Sequence, residues 1–314
     1  MNYICNNDEK TGTMVCEPSP WGGRWTEEKL DAFEKYVNAY LTIMNSYRDK
    51  NNWKLIYFDG FAGSGSRNES KKEADSELLQ DLFRDLCIAE EELDTYKGAA
   101  ERVLGIPQRG FDFYYFVDKD KESSLKLHEL LAPFENDKTL VYRNSDANKQ
   151  IGMLASAMKK DPNLAALVLL DPFGMQVNWN SIELLKETRT DLWILIPTGV
   201  IVNRLLDRKG ELTHINKLTS FLGKDEDFLR SYFYTKRQEK TLFGEIEIVE
   251  KVKQPIQKIA ELYIQQLQMI FKFVTPQPLV LYNTRHTPIF HFACASNNQS
   301  AVKIANEIIE KKKK

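Results

Sequence analysis

The stretch that decides the fold is Lys54-Leu55-Ile56-Tyr57-Phe58-Asp59-Gly60-Phe61-Ala62-Gly63-Ser64-Gly65. Its first half is a short apolar run of β-forming residues, which is typical of a central parallel strand covered on both faces. Its second half is a turn in which Gly60, Gly63 and Gly65 permit positive φ and the close approach of a ligand. Ligands of open α/β sheets lie just beyond the carboxyl ends of the strands. The stretch therefore predicts a ligand loop at residues 59–65.

The glycine spacing distinguishes between ligands. A dinucleotide fingerprint has the order G-x-G-x-x-G, and a P-loop requires Gly-Lys-Ser/Thr, whereas here the order is G-x-x-G-x-G followed by Ser66 and Arg67. The run Phe61-Ala62-Gly63-Ser64-Gly65 resembles the F-x-G-x-G cofactor motif of amino-methyltransferases that use S-adenosylmethionine (SAM). Because SAM carries no phosphate, a loop that binds it needs space for the methionine moiety more than it needs groups that bind an anion. An ordinary strand–turn–helix connection and a nucleotide loop are the alternatives.

Composition and charge narrow the class of protein. The 314 residues are enough for one large domain or two small ones, and 42% hydrophobic and 28% charged residues are typical of a soluble globular protein. Apolar runs fall short of the roughly 20 residues of a membrane span, and the first residues do not read as a signal peptide. We therefore expect a cytoplasmic protein without a membrane partner. The net charge of −2 limits contact with nucleic acid to a local patch or to a partner.

Cysteine and histidine spacing predicts no metal site. The four cysteines are widely separated and form no C-x-x-C motif, so we expect reduced thiols rather than zinc ligands or a disulfide framework. They are Cys5, Cys16, Cys87 and Cys294. His286 and His291 lack the spacing and the neighbouring carboxylates of a metal site, so we expect core or surface imidazoles.

Strand and helix patterns alternate after the glycine turn. Apolar runs predict four further strands, at residues 111–117, 139–142, 165–170 and 192–196. Intervening helical segments, two of them at 76–92 and 96–104, predict a parallel sheet with right-handed crossovers. Two last runs, at 279–282 and 289–293, predict an antiparallel hairpin, which a methyltransferase sheet has and a dinucleotide-binding fold lacks. The predicted fold is α/β and Rossmann-like: a class I methyltransferase fold with a mostly parallel, seven-stranded sheet.

The chain divides into four segments. Polar residues with Gly12, Pro18 and Pro20 predict a flexible N-terminal tail over residues 1–20. The first part of the core is expected over 21–203, and 255–314 completes the sheet and ends in a helix. Between them, 204–254 is mixed and charged with scattered apolar anchors, which predicts a mostly helical insertion. Its basic residues slightly outnumber its acidic ones, as in a nucleic-acid patch or a solvated helical face.

Acidic residues follow the second and third strands. Asp118 ends the second strand, where an acid accepts hydrogen bonds from ribose hydroxyls. It lies further from the glycines than the roughly 20 residues of a Rossmann unit, which we attribute to a helix inserted in the first crossover. Asp146 follows the third strand, where a side chain of class I methyltransferases contacts the adenine amino group. A surface acid at 118 and a turn-forming Asp at 146 are the alternatives.

Asp171-Pro172-Phe173-Gly174 follows the fourth strand. Enzymes that methylate exocyclic amino groups often carry D/N/S-P-P-aromatic here, because an aromatic amine is a poor nucleophile that must be aligned. Asp171 and the Pro172 carbonyl can accept the amino hydrogens, and Phe173 can stack a base that has left its helix. Here Phe173 replaces the second proline, and the tetrapeptide is also similar to that of tRNA guanine amino-dimethyltransferases. An Asp-Pro turn is the alternative.

The motifs together resemble the bacterial family of three-Cys-motif partner proteins, TcmP, over residues 20–310. The segments that carry the resemblance are Trp25-Thr26-Glu27, Phe58-Asp59-Gly60-Phe61-Ala62-Gly63, Phe116-Val117-Asp118, Leu170-Asp171-Pro172-Phe173-Gly174, Ile196-Pro197-Thr198-Gly199, Asn203-Arg204-Leu205-Leu206 and His291-Phe292-Ala293-Cys294-Ala295-Ser296. The resemblance implies a methyltransferase-like protein and a protein partner with a three-Cys motif. It indicates no substrate.

Two main hypotheses follow. The first is a SAM-dependent methyltransferase that acts on an exocyclic amino group of an RNA or DNA base; the second is a catalytically silent methyltransferase-fold subunit that serves its partner as a binding or specificity module. A methyltransferase of small molecules is a third. In the first hypothesis the catalytic residues are Asp171, Pro172 and Phe173. Its cofactor-binding residues are Asp59, Gly60, Phe61, Ala62, Gly63, Gly65, Asp118 and Asp146.

Overall fold

The structure is built around one large sheet. The computed structural model describes residues 3–7, 14–18, 23–64, 98–241, 244–283 and 285–312. A separate antiparallel pair, β1 (Tyr3–Asn7) and β2 (Met14–Pro18), precedes the sheet. The predicted tail at 1–20 thus contains regular structure, and its flexibility stays a prediction.

Five parallel strands form most of the sheet. They are β3 (Lys54–Asp59), β4 (Phe113–Asp118), β5 (Leu140–Asn144), β6 (Leu164–Leu170) and β7 (Thr190–Ile196), and they lie in the order β5-β4-β3-β6-β7. The first of them, β3, therefore lies between β4 and β6, and the chain changes direction across the sheet at this point. The carboxyl ends of β3 and β6 border the crevice that such a switch creates.

Antiparallel strands complete the sheet. Strand β12 (Pro288–Ser296) runs antiparallel to β7, and both β10 (Phe273–Val274) and β11 (Leu279–Tyr282) pair with β12 on its other side. The described sheet thus has eight strands rather than the predicted seven, because two short strands share one edge position. This order, with an antiparallel strand beside the last parallel one, is that of the Rossmann-like class I methyltransferase fold.

Helices alternate with the strands and close the core. They are α1 (Gly23–Asn51), α2 (Ala99–Leu104), α3 (Lys121–Leu131), α4 (Ala147–Lys160), α5 (Trp179–Glu183), α6 (Asn203–Leu205), α7 (Ile215–Leu222), α8 (Glu226–Phe233), α9 (Pro255–Gln268) and α10 (Gln299–Lys312). The second helix predicted in the first crossover is α2. The first, at 76–92, lies outside the described residues.

Helix α1 covers the middle of the sheet because one of its faces is aromatic. The ring of Phe33 lies 6.2 Å from that of Trp193 on β7, 6.3 Å from that of Tyr57 on β3 and 6.4 Å from that of Phe292 on β12. All four side chains are almost completely buried. The helix thus links the glycine-turn strand to the antiparallel part of the sheet.

Helices form the smaller part of the segment predicted as a mostly helical insertion, 204–254. Helices α7 and α8 confirm the first part, but the prediction is wrong for β8 (Tyr234–Thr241) and β9 (Gly244–Lys251), which form an antiparallel hairpin. Residues 245–248 alternate Glu and Ile with period two, which favours a strand. Ion pairs across the hairpin join Lys236 to Glu247 at 2.9 Å and Arg237 to Glu250 at 3.1 Å. Its basic residues are thus partly neutralised within the hairpin.

Within the described ranges, no helix combines the length and apolar character needed to cross a membrane.

Candidate cofactor and active site

The glycine turn is fastened to the strands on both sides of β3. The backbone N–H of Gly60 donates to the carbonyl of Leu169 on β6 at 2.9 Å, and the N–H of Ala62 donates to the carbonyl of Val117 on β4 at 2.9 Å. The turn therefore lies across the carboxyl ends of three adjacent strands. This is the crevice in which open α/β sheets bind their ligands.

Two glycines of the turn are required for different reasons. A Cβ on Gly60 would lie 2.6 Å from Cδ2 of Leu170, so only glycine allows this close packing of turn and strand. Gly63 has φ +61°, which glycine adopts without strain, and a Cβ there would meet no atom of the described structure within 4 Å. Among the described residues, Gly63 therefore borders open space. Gly65, which the sequence also predicts to contact a cofactor, lies outside the described residues.

Asp118 is held against the turn by backbone donors. Its Oδ2 accepts the N–H of Gly63 at 2.8 Å, and its Oδ1 accepts the N–H of Asp120 at 2.7 Å. Because Asp118 is the last residue of β4, the hydrogen bond to Gly63 joins two predicted cofactor residues that are 55 positions apart in the chain.

Asp59 is a buried carboxyl beneath the turn. It is 2% exposed; Oδ1 accepts the N–H of Phe61 at 3.2 Å and Oδ2 accepts the hydroxyl of Tyr57 at 3.2 Å. Burial raises the pKa of Asp59 to about 7, and the charges of Asp171 and Asp118 act in the same direction, whereas the N–H of Phe61 opposes them. Near neutral pH this carboxyl therefore exists in both protonation states.

Asp171 lies just after β6 and forms an ion pair with helix α1. Its Oδ2 is 2.5 Å from Nζ of Lys29, whose side chain is 5% exposed, compared with 21% for that of Asp171. Nζ of Lys29 also lies 5.5 Å from the ring centre of Trp25, which stacks on Phe290 at 5.1 Å. Two elements that are remote in the sequence thus meet at the edge of the crevice.

The other predicted site residues take different positions. Pro172 is buried, whereas Phe173 is 39% exposed, as a residue that stacks an incoming ring must be. Asp146 is exposed, and its side chain accepts the N–H of Lys149 at 3.2 Å, which makes it the N-cap of α4. That structural role accounts for an Asp here, and its predicted contact with adenine stays a prediction.

Sequence reasoning missed Lys29 and the pairing of Thr198 with His291. Thr198 opens a π-helical turn after β7, and its hydroxyl is 2.7 Å from Nδ1 of His291. Burial lowers the pKa of His291 to about 4, so the imidazole is neutral near pH 7. This fits the predicted core histidine. For Lys29, the available signal was a lysine four positions before Phe33, on the buried face of α1.

The carboxyl groups around the turn favour a cationic ligand over a phosphate. Asp59, Asp118 and Asp171 bring three carboxyl groups to one edge of the sheet, and Lys29 offsets one of them. A bound cation is attracted by this arrangement, whereas a pyrophosphate is repelled. The carboxyl groups, and the space that the described residues leave at Gly63, therefore fit SAM, which carries a sulfonium and an ammonium group, better than they fit a dinucleotide.

Within the described ranges, the side chains of His, Cys, Asp and Glu form no group of three or more that could hold a metal ion.

Comparisons with known proteins return structural likeness only. Neither a protein-family model nor a curated protein sequence matches the chain. Among solved structures, the DUF519 protein LPL1258 of Legionella pneumophila is 13% identical, with a TM-score of 0.40, over 88% of this chain and 99% of its own. The Escherichia coli protein yhhF, a candidate methyltransferase, is 14% identical, with a TM-score of 0.27, over 77% of this chain and 94% of its own.

Proposed function

We propose that the protein is a SAM-dependent methyltransferase that acts on an exocyclic amino group of a nucleic-acid base. The observation that carries this proposal is that the carboxyl groups of Asp59, Asp118 and Asp171 interact at the ends of three neighbouring strands, where Asp118 also accepts the N–H of Gly63. These residues come from three strands of a methyltransferase-type sheet, and their charges suit a cation.

The proposed cofactor contacts follow from position. Asp118, fixed by two backbone N–H groups, would accept hydrogen bonds from ribose hydroxyls, and the backbone of 60–63 would border the methionine part. Asp59 would stabilise the cationic charge of the cofactor from beneath the turn. When bound, SAM supplies the electrophilic methyl group, and the protein aligns the nucleophile and places the compensating charge.

The proposed target site begins at Asp171. Its carboxylate and the carbonyl of Pro172 would accept the two amino hydrogens of the base, and exposed Phe173 would stack against the ring. A base in a duplex must first leave its stack to reach this position. The acidic crevice suits the flipped base and not its phosphates, so we expect phosphate contacts elsewhere, on this chain or on a partner.

We also propose that the chain works with a protein partner that carries a three-Cys motif. The support for this is the resemblance to bacterial TcmP proteins over residues 20–310. The near-neutral charge of the chain agrees with a division of labour in which the partner contributes to nucleic-acid binding.

Calorimetry tests cofactor binding first. We expect SAM to bind with micromolar affinity and Gly63→Arg to abolish binding, because an arginine side chain would enter the open space beside the turn. Asn136→Arg is the matched control, since it adds the same charge at an exposed loop before the amino end of β5. A folded wild-type protein that binds no SAM, alone or with its partner, would contradict the proposal.

Methyl transfer is tested with radiolabelled SAM. Total cellular RNA, DNA and extract are incubated with the protein, with and without the partner, and label is counted in each fraction. Label in RNA or DNA supports a nucleic-acid substrate. Label only in small molecules would contradict it and would indicate a methyltransferase of small molecules.

A silent binding module is the second candidate. It is favoured by the ion pair with Lys29, which already engages one oxygen of Asp171, and by the departure of 171–174 from the usual motif. It predicts that Asp171→Ala leaves a pulled-down complex with the partner, and the activity of that complex, unchanged. Loss of methyl transfer in Asp171→Ala would exclude this candidate.

A further inference from the structure

We propose that Lys29 is a positioning residue for methyl transfer: its ammonium group holds the Asp171 carboxylate by one oxygen and leaves the other oxygen for the target amine. The inference rests on the proposed function and adds to it a residue from a different part of the chain. The geometry that supports it is the 2.5 Å contact between Nζ of Lys29 and Oδ2 of Asp171.

The position of Lys29 is fixed by the packing of α1. The residue is 4% exposed, and its neighbours on the same helix, Leu30 and Phe33, are buried in the core. Lysine is rarely buried to this degree without a partner. Its ammonium group instead pairs with Asp171, which lies 142 positions further along the chain. An ion pair that only joined the helix to the sheet could lie anywhere along α1, whereas this one lies at the edge of the crevice.

The chemistry of the transfer explains why a cation would be useful there. The amine lone pair forms the new N–C bond, the C–S bond breaks with its electron pair going to sulfur, and one amino proton is released to water. Asp171 must present an acceptor to an N–H group throughout. An ammonium group has three donors and no acceptor, so Lys29 can orient the carboxylate without competing for the amino hydrogens as an acceptor.

Two other roles of Lys29 are separable from this one. The ion pair could be purely structural, in which case its loss lowers stability but not the rate of the folded enzyme. Alternatively, Nζ could itself receive the methyl group, because it occupies the place of an amine beside Asp171. The experiment includes a readout for each.

The test compares Lys29→Met, Lys29→Arg and the control Lys35→Met, which removes the same charge from an exposed site on α1. Initial rates of label transfer from radiolabelled SAM to total cellular RNA and DNA are measured well below each melting midpoint, and SAM affinity is measured by calorimetry. Misplacing a reacting group by about 1 Å can lower a rate about 100-fold. We therefore expect Lys29→Met to lose about that factor in rate at nearly unchanged SAM affinity.

Rescue and coupling identify the route of the effect. Lys29→Arg should recover a large part of the rate, because a guanidinium also donates to a carboxylate. In an Asp171→Asn background, Lys29→Met should cost little further rate, since a residue that acts through Asp171 has nothing left to position. Should Lys29→Met not fold, Lys29→Gln, a neutral donor, takes its place with an expected loss of about tenfold.

The outcomes separate this inference from the proposed function. Wild-type-like rates in Lys29→Met or Lys29→Gln overturn the role of Lys29 and leave the methyltransferase standing. If Lys29→Met lowers the rate by the same factor in the Asp171→Asn background as in the wild type, Lys29 does not act through Asp171 and the inference is overturned. Methylated Lys29 in a mass spectrum of the incubated protein also overturns it. A wild-type protein that neither binds SAM nor transfers label overturns both.

Discussion

Replacing Asp59 by Asn removes a carboxyl that is costly to ionise in the folded protein. Asn reproduces the hydrogen bonds of the protonated acid: Oδ1 still accepts the N–H of Phe61, and Nδ2 donates to the hydroxyl oxygen of Tyr57. The substitution therefore changes charge with little change in shape or hydrogen bonding. We expect Asp59→Asn to stabilise the fold, and by more at high pH than at low pH.

The magnitude follows from the pKa difference between the folded and unfolded states. The pKa of Asp59 is about 7 in the folded protein, compared with 3.8 for an unperturbed Asp. The folded state therefore holds more protons than the unfolded state between these values, so stability falls as pH rises from about 4 to about 7 and then levels off. At about 1.4 kcal/mol per pKa unit, the raised pKa of Asp59 lowers the free energy of unfolding by about 4 kcal/mol at pH 8 and by about 2 kcal/mol at pH 5.

Urea unfolding at pH 5 and pH 8, without ligand, measures both values. The advantage of Asp59→Asn over the wild type should grow by about 2–3 kcal/mol between the two pH values. Asp137→Asn, at an exposed loop position, is the control and should stay within about 0.5 kcal/mol of the wild type. An Asp59→Asn protein that is less stable than the wild type at pH 8, or an advantage independent of pH, would refute the reasoning.

Thermal and urea unfolding test two further features. Arg48→Met should lower stability by about 2–3 kcal/mol, because this arginine is itself only 2% exposed and donates to the Gly110 carbonyl and to the carboxylate of Asp112, whereas Arg109→Met, which breaks an exposed ion pair, should cost less than about 1 kcal/mol. Similar losses in both would contradict this. Gly199→Ala should cost about 3 kcal/mol or more, since its Cβ would lie 1.9 Å from the carbonyl oxygen of Pro288, while Gly152→Ala in α4 should stabilise by up to about 1 kcal/mol. A tolerated Gly199→Ala would show that the β7 turn can move.

Much of the sheet could be predicted from local patterns. Every residue of strand β6 is apolar, and β3 ends in an Asp followed by glycine, so both strands followed from sequence. The binding role of their carboxyl ends stays a prediction. The closeness of Gly63 and Asp118 agrees with the rule that the carboxyl ends of parallel strands meet at one edge, but the hydrogen bond between them was not predicted.

The remainder depends on contacts that leave no local signal. The partner of Asp171 is a lysine 142 positions away, and no spacing rule links them. The hairpin of β8 and β9 was mistaken for helix because the segment is charged with scattered apolar anchors, while the short alternation at 245–248 carried the opposite signal. Asp146 shows a third reason, since a helix cap and a ligand contact need the same residue type at the same place.

Helix α1 reaches both rims of the sheet. Lys29 meets Asp171 where the parallel strands finish, and Arg48 binds Asp112 where β4 starts, roughly 28 Å further along the helix axis. Because ion pairs hold the helix near both of its ends, they oppose its sliding along the sheet, and a shift of the helix at one pair would also displace the other. A chain shortened to begin at Lys54 would lose both ion pairs of α1 and would expose the aromatic side chains of the sheet that α1 covers. We expect such a chain to aggregate before its activity could be assayed.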